Sequence, residues 1–271
     1  MTKLLYIGGY GRSGTTLLET LVASAPDAVC CGEVVIAAVR QKATRCSCGK
    51  LREECPVWGS LINPQRPPGT WTHQELTLAL LEHVKNAYGI LVDSSKTAWG
   101  SLSAPFAFRE RLGDDFALVH VVRDPRGVSW SRVAGRRRRR GRFLPYIENS
   151  PRRFAWHGRT LIGWWAANLA CEWFGRRYPN QYICVRYEDL ANAPEETLRS
   201  VFARLKLGPG PKLDGSKTHN NRHQLFGNRV RFQPPAPSEI RADTRWQHEM
   251  KSTDRWMISA LSWPLRRRYN Y

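Results

Sequence analysis

No stretch of this chain approaches the ~18 consecutive apolar residues of a membrane-spanning helix, and its first ten residues hold no charged region followed by a long apolar one. A soluble, cytoplasmic protein is therefore expected. Acidic residues are scarce: 23 Asp and Glu stand against 42 Lys and Arg, for a net charge of +19. The imbalance favours anionic partners, yet nucleic acid, anionic lipid, a phosphorylated cofactor and an acidic substrate all carry the required sign. Cysteine is too sparse for a disulfide scaffold, with seven in 271 residues, and a cytoplasmic setting would keep most of them reduced. What is present suffices for a core: 42% of the residues are hydrophobic, enough for one domain over 1–271 with insertions.

A second absence is local. In IGGYGRSGTTLLETL, residues 7–21, Gly9 and Gly14 have the spacing of G-x-x-x-x-G-K-[ST] and Thr16 takes the last place, but Thr15 stands where the lysine belongs. The surroundings are otherwise those of a phosphate cradle. The apolar run 4–7 reads as a buried strand, and Leu17, Leu18, Leu21, Val22 and Ala25 have helical spacing that stops before Pro26. Unpaired N–H groups at a helix start aim at an anion, and glycine lets the backbone approach it closely. The cation of this turn is Arg12. A plain tight turn would read the same way, so the loop alone decides nothing.

Strand and helix patterns alternate beyond it. Strands are expected at 29–31, 90–93, 116–122 and 182–186, and helices at 34–39, 76–84, 161–173 and 195–205. Such alternation predicts a three-layer α/β fold, a central parallel sheet flanked by helices. An irregular Cys- and Pro-rich insertion at 45–72 and a basic loop at 135–156, with unbroken arginines at 136–140, interrupt the pattern. Ligands in such folds collect at the carboxyl ends of strands. Residues 11–16, Asp93 to Lys96, Arg123 to Ser131 and Tyr187 should therefore converge. Arg123 would end a strand and Ser131 would lie about two turns into the next helix, where a guanidinium and a hydroxyl can hold a second phosphate. A salt-bridged strand end is the competing reading of RDPR. Taken with the first loop, a ligand with two separated phosphates fits better than a nucleoside triphosphate.

These residues resemble the sulfotransferases that use PAPS, 3′-phosphoadenylyl sulfate. GRSGTTLL is similar to that family's loop for the 5′-phosphosulfate and RDPRGVSWS to its segment for the 3′-phosphate, while Cys31-Gly32-Glu33 and Arg186-Tyr187-Glu188-Asp189-Leu190 place the match nearest the carbohydrate and tyrosylprotein branches. The resemblance runs in order over 4–207, with weaker support from FGNRVRF at 226–232. It implies a P-loop-like fold and in-line transfer of the sulfonate of PAPS to a hydroxyl of a glycan, lipid, natural product or tyrosine, with PAP as product. It also implies that no metal is required, since PAPS has no γ-phosphate to engage the lysine and magnesium of a kinase.

On this resemblance Gly11, Arg12, Ser13, Gly14, Thr15 and Thr16 would hold the 5′-phosphate, Arg123 and Ser131 the 3′-phosphate, and Tyr187 would lie near the nucleotide. Asn228 and Arg229 would belong to a lid. Arg12 stands where many members have lysine and would stabilise charge growing on the bridging oxygen, although a guanidinium does not give up a proton at ordinary pH. Glu33 would be the base that takes the acceptor proton, with Asp93 as runner-up and Ser95 and Lys96 orienting the sulfonate or the acceptor. Each has a plainer reading: Glu33 as a helix-start acid, Ser94 and Ser95 as a helix cap.

Other features stay open. Cys46, Cys48 and Cys55 could bind zinc with Cys30, Cys31 or His73 as fourth ligand, form a disulfide such as Cys48 with Cys55, or pack as free thiols, because C-x-C-x6-C departs from the common zinc spacings. Cys171 and Cys184 read as core. His219 and His223 are given no chemistry, and Trp246, Trp256 and Trp263 read as packing. The arginine run could be a self-repelling loop or a lid for an anionic acceptor, such as a sulfated or phosphorylated glycan, an acidic peptide or a lipid headgroup, and a lipid acceptor would bring peripheral membrane contact. Two other functions compete. A kinase would need the missing lysine and a magnesium-binding acid. A nucleic-acid-binding protein would explain the charge, but no reader module is recognisable, so no specific nucleic acid is expected.

Overall fold

The computed structural model describes residues 2–40, 45–62, 65–98, 101–139, 152–213, 221–233 and 235–271. Five strands form one parallel sheet: β1 (Lys3–Gly8), β2 (Ala28–Cys30), β3 (Ile90–Asp93), β4 (Phe116–Val122) and β5 (Tyr182–Arg186), in the order β2-β3-β1-β4-β5. The α/β fold expected from the alternation is the one observed. The strands are short apolar runs rich in Val, Ile and Leu because both sheet faces are covered.

Side chains of one strand alternate between two cores. Leu4 and Tyr6 of β1, with Phe116 and Leu118 of β4, enter a core shared with α3 (His73–Val84) and α4 (Ala104–Leu112). Leu5 and Ile7, with Ala117, Val119 and Val121, enter the opposite core, shared with α1 (Thr15–Val22). Each fully buried Leu, Ile or Val there contributes roughly 1.5–3 kcal/mol. The helix α2 (Val34–Val39) follows β2, α5 (Pro125–Arg139) follows β4, and α6 (Arg152–Arg177) leads to β5. After β5 come α7 (Tyr187–Asn192), α8 (Pro194–Leu205), α9 (Trp246–Glu249) and α10 (Ser252–Arg268). Among the described residues no helix is long and apolar enough to cross a membrane.

Several expectations need correction. Cys184 is exposed, because β5 is the edge strand of the sheet, whereas Cys171 is buried as expected. Trp246 is buried, but Trp256 and Trp263 are exposed and α10 turns Ile258, Ser262 and Leu265 inward instead. The basic loop begins later than expected: α5 runs through Arg139, consistent with the good helix propensity of arginine. The side chains of the run 136–140 and residue His219 lie outside the described residues.

Candidate active site

The sheet order changes direction at β1, since β2 and β3 lie on one side of it and β4 and β5 on the other. In such folds the ligand crevice lies at the carboxyl ends of the strands where the order reverses, and the predicted loops meet at that place. The loop after β1 is held tightly. A side chain at Gly9, with φ of +112°, would place its Cβ 2.3 Å from the Val121 carbonyl oxygen, and the Gly9 N–H donates to the Thr97 hydroxyl at 2.9 Å. Gly14, with φ of +100°, starts α1 without a side-chain cap, so the N–H groups of the first turn keep their donor capacity. A Cβ at Gly14 would lie 2.7 Å from the Tyr187 ring. Ser13 is fully buried and its hydroxyl has no hydrogen-bond partner. A buried polar atom without a partner costs about 1–3 kcal/mol, and in a helix-start loop an anion would relieve it. Thr15 is buried beside it and Thr16 is half-buried.

Arg123 closes the crevice from the β4 side. Its guanidinium donates to the Arg12 carbonyl at 3.2 Å and to the Asp243 carbonyl at 2.8 Å, and it lies 4.3 Å from the centre of the Tyr187 ring. Tyr187 is fixed in turn by its hydroxyl, which accepts from the Asp243 N–H at 3.1 Å. Burial opposes the Asp243 charge, but hydrogen bonds from Arg245 and the charge of Arg123 hold its carboxyl below the ordinary range. Ser131 is half-buried on α5. On the buried face of the same helix, Ser129 pairs with His157 Nδ1 at 2.5 Å and His157 with Asp254 at 3.4 Å, which fastens α5 to α6 and α10. Arg126 is engaged by Asp124, so the salt-bridged reading of RDPR holds for these two residues and leaves Arg123 apart.

Glu33 stands at the start of α2, and its place is set from the β3 end. Asp93 accepts from the Val34 N–H at 3.4 Å and the Ser95 hydroxyl from the Val35 N–H at 2.9 Å, so the two residues cap α2 from outside the helix. Asp93 is fully buried and also binds the Ser95 N–H, the Ser95 hydroxyl and His73 Nε2, the last at 2.7 Å. Both are thus committed to holding the loop, and Ser94 and Ser95 cap no helix of their own segment. The Glu33 carboxylate forms an ion pair with Lys96. The Lys96 chain passes the phosphate-type loop, its Cδ 4.0 Å from the position of a Cβ on Gly11. Arg12 and Lys96 both hold positive φ, 76° and 70°, a strained conformation for residues with side chains that tends to persist at functional sites.

Two participants were not singled out from the sequence. Glu19 is fully buried on α1 and accepts from the Gly32 N–H, the Ser94 hydroxyl and the Gln224 amide, all at 2.6–2.7 Å. Burial pushes its carboxyl up to about 7 against these three hydrogen bonds. Its position between buried Leu18 and Leu21 on an apolar stripe was a signal. Arg231 is the second: burial works against its charge and Glu33 supports it, and it donates to the Gly227 carbonyl at 3.1 Å. Gly227 sits over Thr16, its Cβ position 3.9 Å from the threonine hydroxyl. Asn228 is exposed beside it, and the Arg229 side chain lies outside the described residues. Outside this site, His223, given no chemistry from sequence, is buried, and its Nδ1 lies 3.2 Å from the Cys55 sulfur.

Comparison with known proteins bears on the family and the fold. A sulfotransferase-family profile matches residues 5–208. Among solved structures, the fold is similar to the sulfotransferase domain from the curacin biosynthetic pathway, with a TM-score of 0.58, 17% identity and coverage of 97% of this chain and 98% of that one. It is similar to the sulfotransferase domain of the Synechococcus PCC 7002 olefin synthase, at 0.54 and 16% over 96% and 94% of the two chains. It also resembles mouse sulfotransferase SULT7A1 complexed with PAP, at 0.54 and 14% over 97% and 85%. No curated protein sequence matches. With a family match over most of its length and an α/β fold similar to those of solved sulfotransferases, the chain belongs to the sulfotransferase family and is an enzyme of sulfonyl transfer.

Proposed function

We propose that the enzyme transfers the sulfonate of PAPS to a hydroxyl of its acceptor by in-line displacement. The observation that carries this reading is the placement of Arg123 against both Arg12 and Tyr187, which brings a second cationic pocket beside the glycine loop. PAPS presents phosphates at its 5′ and 3′ positions, and two anion pockets in one crevice suit it. The orphaned Ser13 hydroxyl and the uncapped start of α1 fit the 5′ group, and Arg123 with Ser131 the 3′ group.

Each residue then has a task. The N–H groups of Gly14 to Thr16, with the Ser13 hydroxyl, hold the 5′-phosphate, the Ser13 N–H being donated to the Tyr10 carbonyl, and Arg12 stabilises the negative charge that grows on the bridging oxygen as its bond to sulfur breaks. Lys96, between the loop and Glu33, places positive charge beside the sulfonate and orients the carboxylate. Glu33 takes the acceptor proton as the new oxygen–sulfur bond forms. Asp93 and Ser95 position Glu33 by holding the start of α2. Gly227, Asn228 and Arg231 form the cover over Thr16 and Glu33. The donor chemistry requires no metal, and the acceptor is a hydroxyl compound, with anionic glycans, natural products, lipids and tyrosine peptides as the classes to screen. We place the reaction in the cytoplasm, where the free cysteines of the described residues stay reduced.

Calorimetry with 3′,5′-ADP, AMP and ATP with magnesium tests the reading. Binding of 3′,5′-ADP should be the tightest of the three, and a preference for ATP with magnesium would reject it. Incubation with radiolabelled PAPS and extracts of the acceptor classes identifies the product.

A further inference from the structure

We infer that Cys46, Cys48, Cys55 and His223 form a structural zinc site outside the active site. Their ligand atoms all lie within 4.8 Å of one another. A tetrahedral zinc ion about 2.3 Å from each thiolate sets sulfur–sulfur separations of about 3.8 Å. The Cys55 sulfur lies 3.6 Å from that of Cys46 and 3.9 Å from that of Cys48, close to the edges of that tetrahedron and far from disulfide contact. The Cys55–His223 contact of 3.2 Å needs to open by only a few tenths of an ångström to match the edge from Cys55 to the fourth ligand. Three thiolates and an imidazole form a soft, closed ligand set that suits zinc and leaves no position for substrate. Of the candidates for the fourth ligand weighed from sequence, His73 is engaged by Asp93 and Cys30 by the Glu19 carbonyl, and Cys31 lies outside the cluster.

The backbone around the cluster is built to present these atoms. Cys46 N–H donates to the Lys50 carbonyl and Gly49 N–H to the Cys46 carbonyl, which folds 46–50 into a tight turn. The segment at 221–226 runs beside β2, with His223 N–H on the Cys30 carbonyl at 2.7 Å. Ser47 and Gln224 exchange hydrogen bonds, and the buried Trp58 indole donates to the His223 carbonyl at 2.5 Å. The ion would staple the Cys-rich insertion to this segment. The next residues of that segment reach the active site, Gln224 through Glu19 and Phe226 through its carbonyl, which accepts the Glu33 N–H at 3.2 Å. Binding replaces the thiol protons, which pass to solvent.

The test is metal analysis of the purified full-length chain, made and dialysed under reducing conditions. One zinc ion per chain is expected, retained in Cys184→Ser and lost in Cys48→Ser. Cobalt substitution of the wild-type chain should give the visible bands of a tetrahedral ion and a near-ultraviolet thiolate charge-transfer band. His223→Cys should keep the metal and strengthen that band, which a packing role for His223 would not produce. A wild-type chain that neither contains zinc nor takes it up, or alkylation and mass mapping that finds Cys48 joined to Cys55, would overturn the inference. Because the wild-type result is decisive, failure of a variant to fold does not protect it, and nucleotide calorimetry is read separately.

Discussion

Arg123 Nη1 donates to the carbonyl oxygen of Arg12 at 3.2 Å, across the point where the sheet order reverses. The glycine loop and the end of β4 are thereby neighbours, as a ligand with two separated phosphates requires. Replacing Arg123 by Ala should weaken 3′,5′-ADP by roughly 10–150-fold, the worth of a hydrogen bond to a charged group, while AMP binding changes by only a few-fold. Calorimetry with the two nucleotides separates the effects. Equal weakening of both would mean that Arg123 supports the loop and does not hold the 3′-phosphate.

Gly14→Ala should damage both fold and site. The left-handed backbone disfavours alanine, and the new methyl group would meet the Tyr187 ring at 2.7 Å. A loss of roughly 1–3 kcal/mol in urea unfolding is expected, together with a loss of 3′,5′-ADP affinity, because Tyr187 is the surface on which Arg123 rests. An unchanged unfolding midpoint would show that the ring moves aside freely.

Glu33→Gln keeps the shape of the side chain and removes the carboxylate proposed as the base. Transfer of labelled sulfonate from PAPS should fall by roughly 10²–10⁴-fold in kcat, with 3′,5′-ADP affinity kept within a few-fold, and Glu33→Asp should recover part of the rate. If the Gln variant turns over at the wild-type rate, proton removal lies elsewhere.

Glu19 predicts a pH dependence of stability. Below its ordinary value of 4.5 the carboxyl is protonated in both folded and unfolded chains and contributes no difference. Between 4.5 and about 7 the folded chain keeps a proton that the unfolded chain has released, so stability falls as pH rises, and the full penalty of roughly 3 kcal/mol is reached above about 7. Glu19→Gln has no such titration. Its amide can be received by Gln224 Oε1, which is buried without a partner. Urea midpoints between pH 5 and pH 8 should therefore decline for the wild type relative to the variant, and parallel curves would place the Glu19 proton equilibrium outside this range.

The sequence revealed most of the sheet because its strands are apolar runs bounded by polar or glycine residues. The runs 90–93, 116–122 and 182–186 coincide with β3, β4 and β5, and 4–7 lies inside β1. The helix expected at 161–173 is longer, Arg152–Arg177, because its first turns are basic and carry no apolar period. The loops that bear Arg12, Glu33, Lys96 and Arg123 were legible because each follows a strand in a parallel sheet. Partners distant in sequence were not. His223 joins Cys55 across 168 residues, and Gln224 joins Glu19 across 205; no local spacing records such a pairing. The sequence offers Asp93 as a base and Ser95 as an orienting group or a helix cap, and only the three-dimensional arrangement shows both capping α2.

The tie between Glu19 and Gln224 also sets the order in which the enzyme can become whole. A chain emerging from the ribosome delivers the helix of Glu19 first, but the amide that satisfies its buried carboxylate arrives only 205 residues later. The segment that backs Glu33 comes with it, so the surroundings of Glu33 are completed long after the glycine loop has been made, and a nascent chain stalled before residue 221 would carry that loop without the backing it needs.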